Sequence, residues 1–401
     1  MFLVRRFPQE ILDLIVDAVA QNEDTTYDVD SPGEDSLRAL SLACRATSGR
    51  SQKHIFSSIV VTYDTVLRLH ATLLNSPHLA KYTKEFTIQE YREAFPVSTC
   101  RDPLQFIMAS FHGLTRLNLW HIMSDAWDFS SCLPSTLPSL RTLQICGCTL
   151  PSHGALRRIV DSMPQGGALY LEDVSFLECP VKALSNLDSA SWSFSDLDLF
   201  DYCLDEPEDV VIASMIKSVD HLDMEIKDWV DLRLFHALMH PSKGLKKLTL
   251  GVYWALNPDE IGALYDDDAS WRCGLALEWV TLRALADEIE PGEAEGDGRW
   301  ATRFLLAVNS EKLSTVHLRI SDSFVVDSPG SLWPGFDWAA VDEVLSSKIR
   351  YPTLKHLAIL STRRWGCFSK QKELDELLWN LLPMSAERGI LCAKRETGAD
   401  I

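Results

Sequence analysis

The chain has 401 residues, 46% hydrophobic and 24% charged, with a formal net charge of -19 and a sequence pI near 5.0. That is the composition of a globular chain that buries a full core, and its acidity excludes a general binder of nucleic acid or anionic membranes, because phosphate contact needs clustered Lys and Arg. No apolar run reaches the roughly 18 residues of a membrane span, Met1-Phe2-Leu3-Val4 is shorter than a signal-peptide core, and the ten cysteines lack paired C-x-x-C sets, so a reduced protein of cytoplasm or nucleus is expected.

Phe7-Pro8-Gln9-Glu10 reads as a helix start, with Pro8 in the first turn, where its missing N–H costs nothing. The helix runs to about Ala20, and Ile11, Leu12, Ile15 and Val19 recur at helical spacing as one apolar stripe. Glu23, Asp24, Asp28 and Asp30 mark a solvated loop. Order restarts at Ser31-Pro32-Gly33-Glu34, a capping-box pattern, or else at Asp35 or Ser36. The second helix presents Leu37, Leu40 and Cys44 and ends near Arg45 or Ala46, a third spans about Arg50 to Phe56, and Ile59-Val60-Val61 suits a first strand.

The order F-P-x-E-I-L-x-x-I, then L-x-x-L-S-L-A-C-R, then H-I-F-S-S-I resembles the F-box of many fungal proteins. The resemblance implies a helical domain over residues 1–60 that docks a Skp-family adaptor and through it a cullin, with Phe7, Pro8, Ile11, Leu12, Ile15, Leu40, Cys44 and Arg45 as adaptor-binding residues. Many relatives carry Trp two residues after the C-R pair, where this chain has Thr47. Read without the resemblance, the same segment is a helical cap on the array that follows, since repeat arrays need caps with a polar outer face.

A helix is predicted from Thr65 to about Asn75, with a break at Ser76-Pro77. Short alternating segments then recur, and they align on Phe86, Leu117, Leu143, Leu169, Leu197, Leu222, Leu248, Val280, Val316 and Leu357. Five successive intervals, from Leu117 to Leu248, fall within the roughly 20–29 residues of a leucine-rich repeat, whose L-x-x-L-x-L strand points alternate residues into the core. Helix starts at Asp102-Pro103, Glu206-Pro207 and Asn257-Pro258, and helical spacing from Asp228 to Met239, fit between strands. Residues Asp287 to Gly298 and Ser328 to Gly335 read as exposed loops, and a helix over Ser369 to Leu382 with Gly389 to Ala393 closes the chain. The expected fold is α/β: an N-terminal three-helix F-box followed, over residues 61–401, by an irregular leucine-rich-repeat solenoid of parallel strands alternating with helices.

No constellation in the sequence supports catalysis. His236 and His240 stand at i and i+4, but Ala237 occupies the place of a zincin Glu. Asp266-Asp267-Asp268 lacks the alternating ligand spacing of a calcium loop, and Gly292, Gly296 and Gly298 form no phosphate loop. Large rings such as Trp120, Trp192, Trp254 and Trp365 read as solenoid core, whereas Trp279 lies at an x position. The expected function is that of a non-catalytic substrate-recognition subunit of a ubiquitin ligase, with no metal and no cofactor. Its unknown client protein would bind a broken basic track of Arg116, Arg141, Lys246, Lys247 and Lys355 with Trp279, and so present an acidic surface. The alternative is a leucine-rich-repeat interaction module that does not bind the adaptor.

Overall fold

The computed structural model describes residues 8–21, 32–90, 97–122, 129–177, 192–200, 216–226, 231, 234–235, 238–239, 244–253, 276–285, 300–308, 310–320, 337–361 and 371–395. The chain divides into two compact units, residues 1–167 with 174–179 and residues 168–173 with 180–401. Phe7, Ser31, the segments begun by Glu206 and Asn257, His236, His240, Asp266 to Asp268, both loops predicted as exposed, Trp254 and Trp365 lie outside the described residues.

Unit 1 opens with α1 (Gln9–Gln21), α2 (Pro32–Ala43) and α3 (Arg45–Ile55), which pack on one another. The core face of α1 is Leu12 and Val16, one turn apart, and Leu37 of α2 is buried too. Val16 rather than Val19 completes that face, so the helix is apolar on more than the side its own fold uses. The second helix ends at Ala43 and the third begins at Arg45, five residues earlier than the pattern suggests, and Cys44 between them is extended with φ −162 and ψ 162. Neither Gly nor Pro marks this break. Thr47, which is buried, places its hydroxyl 2.6 Å from the carbonyl oxygen of Leu40 and satisfies one of the last-turn carbonyls that α2 leaves without an intrahelical partner.

Strand β1 (Ser58–Val61) follows, then α4 (Tyr63–Asn75), whose Thr62 and Thr65 form a reciprocal capping box. A 3-10 turn at Pro77–Tyr82 leads to β2 (Glu85–Gln89), α5 (Val97–Ser110), β3 (Arg116–Trp120), β4 (Thr142–Leu150) and α6 (His153–Asp161). Pro103 does not start its helix: α5 begins at Val97 and carries Pro103 inside, because Leu104, Ile107 and Met108 are buried and their packing outweighs the lost amide bond. The strands run parallel and in chain order, with Ile59 opposite Phe86, Phe86 opposite Leu117 and Leu117 opposite Leu143. Phe86 meets Phe111 edge to face at 5.1 Å between ring centroids.

The division between units falls within β5 (Gly167–Phe176). Unit 2 contains β6 (Trp192–Phe200), β7 (Ile216–Ile226), β8 (Lys247–Tyr253), β9 (Trp279–Leu285), α7 (Trp300–Ala307), β10 (Thr315–Ile320), α8 (Trp338–Ser346), β11 (His356–Ser361), α9 (Gln371–Leu381), α10 (Pro383–Arg388) and β12 (Leu391–Arg395). Of the helix predicted over Asp228 to Met239, the described residues are helical, and Leu234, Phe235, Leu238 and Met239 are buried. The strands are again parallel and in chain order, and Leu197, Leu222, Leu248, Val280, Val316, Leu357 and Leu391 follow one another across them as register partners. The aligned sequence column is thus a physical row of core side chains, each of the first six no more than 1% exposed. Removing each from water stabilises its unit by roughly 1.5–3 kcal/mol.

The same backbone joint recurs two residues before that row. A single carbonyl accepts two successive N–H groups of the next strand: Lys84 O from Thr115 and Arg116, Lys246 O from Glu278 and Trp279, Ser314 O from Lys355 and His356. The architecture is α/β, with parallel strands alternating with helices.

At the far end, Tyr351 is fully buried and its hydroxyl donates toward the carbonyls of Leu305 and Val308. Arg388 reaches the carbonyls of Leu345 and Tyr351, both at 2.7 Å, and Asp342 accepts the amides of Met384 and Ser385, both at 2.8 Å, at the start of α10. Burial pushes the Tyr351 phenol well above its ordinary value, so it stays a neutral donor. Tyr351→Phe is expected to cost unit 2 about 1–3 kcal/mol in denaturant unfolding, because two buried carbonyls lose their donor. Among the described residues no helix is long and apolar enough to cross a membrane.

Candidate functional site

The three-helix module carries the first candidate surface. With Leu12 and Val16 facing inward, α1 leaves Ile11, Leu14 and Ile15 exposed at 40%, 63% and 46%, next to exposed Pro8. On α2, Leu42 is exposed while Leu40 is half-buried. Of the residues predicted to meet an adaptor, Pro8, Ile11, Ile15 and Arg45 are exposed, Leu40 and Cys44 are half-buried, and Leu12 belongs to the module's own packing. The Thr47 hydroxyl, followed by the Thr47 backbone, holds the Cys44 thiol below its ordinary value, with Sγ and Oγ1 3.4 Å apart.

What orients α1 on α3 is polar. Asp17 receives a bidentate pair from Arg50, Nε to Oδ1 at 2.7 Å and Nη2 to Oδ2 at 2.6 Å, and His54 Nε2 lies 2.8 Å from Oδ1. Gln9 adds a bond from Nε2 to the carbonyl of Ala46 at 2.9 Å. The Arg50 guanidinium, then the His54 ring, hold the Asp17 carboxyl well below the usual carboxylate range. A carboxylate with a depressed folded-state value contributes stability that is present above the ordinary Asp value of about 4 and is lost as pH falls from there. Asp17→Asn is therefore expected to loosen the α1 and α3 amides in hydrogen exchange at neutral pH, and to flatten the module's loss of protection below about pH 4.

The polar face of unit 2 carries the second surface. Lys247 and Trp279 are register partners, the ammonium lies 5.8 Å from the indole centroid, and Trp279 Nε1 donates to Thr281 Oγ1 at 3.1 Å. His317 meets the same ring edge-on at 4.5 Å, so the 37% exposed indole is held on three sides. Lys246 is paired with Asp220 at 3.0 Å, and in unit 1 Arg116 stands 3.7 Å from Glu85. The predicted basic track divides between the units: in unit 1 Arg116 directly precedes Leu117 and exposed Arg141 stands two residues before Leu143, and in unit 2 Lys247 directly precedes Leu248, whereas Lys246 and exposed Lys355 come before their strands begin. Lys247 and Trp279 are the pair that the fold brings together.

Sequence reasoning missed the charges beside them. Asp198 and Asp223 are register partners on β6 and β7, and Arg283 of β9 forms an ion pair with Asp223. Glu225 is buried on the same strand as Asp223. Burial, then the charge of Asp223, pushes the Asp198 carboxyl up to about 7, and burial raises Asp223 despite Arg283. The alignment held the signal, because both aspartates follow the aligned leucine by one residue. Among the described residues no three His, Cys, Asp or Glu side chains gather as a metal site.

No protein-family model matches the chain, and no curated protein matches it. Among solved structures it is similar to a chain in the crystal structure of the Rad7 and Elc1 complex in yeast, at 12% identity over 89% of this chain and 90% of that one, with a TM-score of 0.30, which is too distant to assign a family.

Proposed function

We propose that this chain is a non-catalytic substrate receptor of a Skp-cullin-F-box type ubiquitin ligase. In this reading α1 to α3 are an F-box that holds a Skp-family adaptor and through it a cullin. The strand and helix repeats are an irregular leucine-rich-repeat solenoid that presents a client protein, and the ubiquitin chemistry belongs to other subunits. The observation that carries the reading is the split of α1 into two apolar faces: Leu12 and Val16 satisfy the module, while Ile11 and Ile15, for which the F-box pattern of the sequence implies adaptor contact, remain exposed together with Leu14. A short helix that leaves three large aliphatic side chains in water has a surface suited to a partner. Lys247 with Trp279 is the leading client contact, since a held indole beside a cation is the type of residue pair that anchors interfaces.

Thr47 favours a second reading, an interaction module that does not bind the adaptor, because it stands buried where many F-box relatives carry Trp. Co-expression of the full chain with a Skp-family adaptor, followed by gel filtration, separates the two. Co-elution is the result expected of a receptor, and separate elution of two folded proteins leaves only the interaction module.

A further inference from the structure

On the polar face of unit 2, one side chain crosses a strand. Arg283 sits on β9, yet its guanidinium bonds Asp223 on β7, two strands away. The strand between is β8, and the residue paired there with both Glu225 and Arg283 is Gly251, which puts no side chain in the way. Arg283 is thus committed to Asp223, while Asp198, the register partner of Asp223, lies beside a second carboxyl at the spacing of adjacent strands. Two carboxylates so placed and partly withdrawn from water do not both ionise cheaply, and they titrate as a pair.

We propose that the Asp198–Asp223 pair, with Arg283 laid across β8, is a proton-operated switch in this sheet. With one proton bound, the carboxyl of Asp198 is neutral and does not repel its neighbour's carboxylate. Without it the two repel, and the face gains one negative charge.

The surroundings set where the switch works. Glu172 on β5 and Glu225 on β7 add negative potential, as Asp223 does, and all three favour the proton. Arg283 opposes it at Asp198, and His221 and Arg319 join Arg283 in favouring the charged form of Asp223. Asp196, beside Asp198 on β6, is 3.0 Å from His221 Nδ1, and Thr249 of β8, the partner of Asp223, brings no charge. Burial and the neighbouring carboxylates win, which puts the half-way point at about 7. A carboxyl whose folded-state value is raised binds its proton more tightly folded than unfolded. Stability therefore falls as pH rises from the unfolded value of about 4 to the folded one, and is level above it.

The inference does not depend on the ligase reading, and the full chain tests it without a partner. Melting temperatures of the unmodified protein and of Asp198→Asn are compared from about pH 4 to about pH 9. The unmodified protein is expected to lose ground to the variant steadily up to about 7, then to run parallel with it. Asp223→Asn, which removes the like charge, moves that break to lower pH, and Arg283→Gln moves it higher. Parallel curves across the whole range, or a break at the ordinary Asp value, overturn the proposal. Should Asp198→Asn not fold, the infrared carbonyl band of a protonated carboxylic acid in the unmodified protein decides instead. Its loss through neutral pH, earlier in Asp223→Asn, supports the switch, and its absence at about pH 6 overturns it.

Discussion

Leu143→Ala is expected to destabilise unit 1 by about 2–5 kcal/mol, measured by chemical denaturation. Leu143 is 0% exposed and lies opposite Leu117, itself opposite Phe86, so its side chain is one link of a continuous apolar row. The loss has two parts: transfer of the missing methyl and methylene groups, and a cavity that fixed strands on either side cannot close. A backbone held by parallel pairing leaves little room to collapse, which favours the upper half of the range. A change within about half a kcal/mol, the size expected of an unremarkable surface position, would place Leu143 outside the core row.

Ile11→Asp is expected to abolish co-purification with a Skp-family adaptor while leaving the free protein folded. At 40% exposure the side chain contributes little to the module, and position 11 lies in the first turn of α1, where a carboxylate is favoured by the helix dipole. The cost falls on the complex alone, where an unpaired carboxylate in a desolvated interface amounts to about 3–5 kcal/mol, or roughly two to four orders of magnitude in affinity. Gel filtration of the co-expressed pair and a melting curve of the free variant measure both halves. A variant that loses its fold with its complex would show that Ile11 packs inward, against its place on the outer face.

The repeat was legible in the sequence because a strand with one buried face writes its register as alternation, and alternation survives intervals as unequal as those after Leu248. The aligned positions from Leu197 to Leu357 are register partners without a slip. The joint at Cys44 was not legible, since an extended residue between two helices needs no Gly or Pro when a hydroxyl such as that of Thr47 closes the turn. Nor were α6, α7 and α8, each of nine residues or fewer, too short to show a helical period against flanking apolar strands. The two surfaces differ in the same way. Exposure of Ile11 and Ile15 follows from a stripe wider than one core needs, but Asp223 and Arg283 are 60 residues apart, and only strand pairing makes them neighbours.

The end strands, β1 with four residues in unit 1 and β12 with five in unit 2, are among the shortest strands of the described residues. A sheet edge is a row of unpaired donors and acceptors on which another chain can template itself, and brevity is one defence against that. Behind β1 the protection ends, because β2 is buried from Phe86 through Gln89. A chain that began at Tyr63 would offer that strand bare, and residues 8 to 61 therefore guard the protein against self-association whatever else they bind.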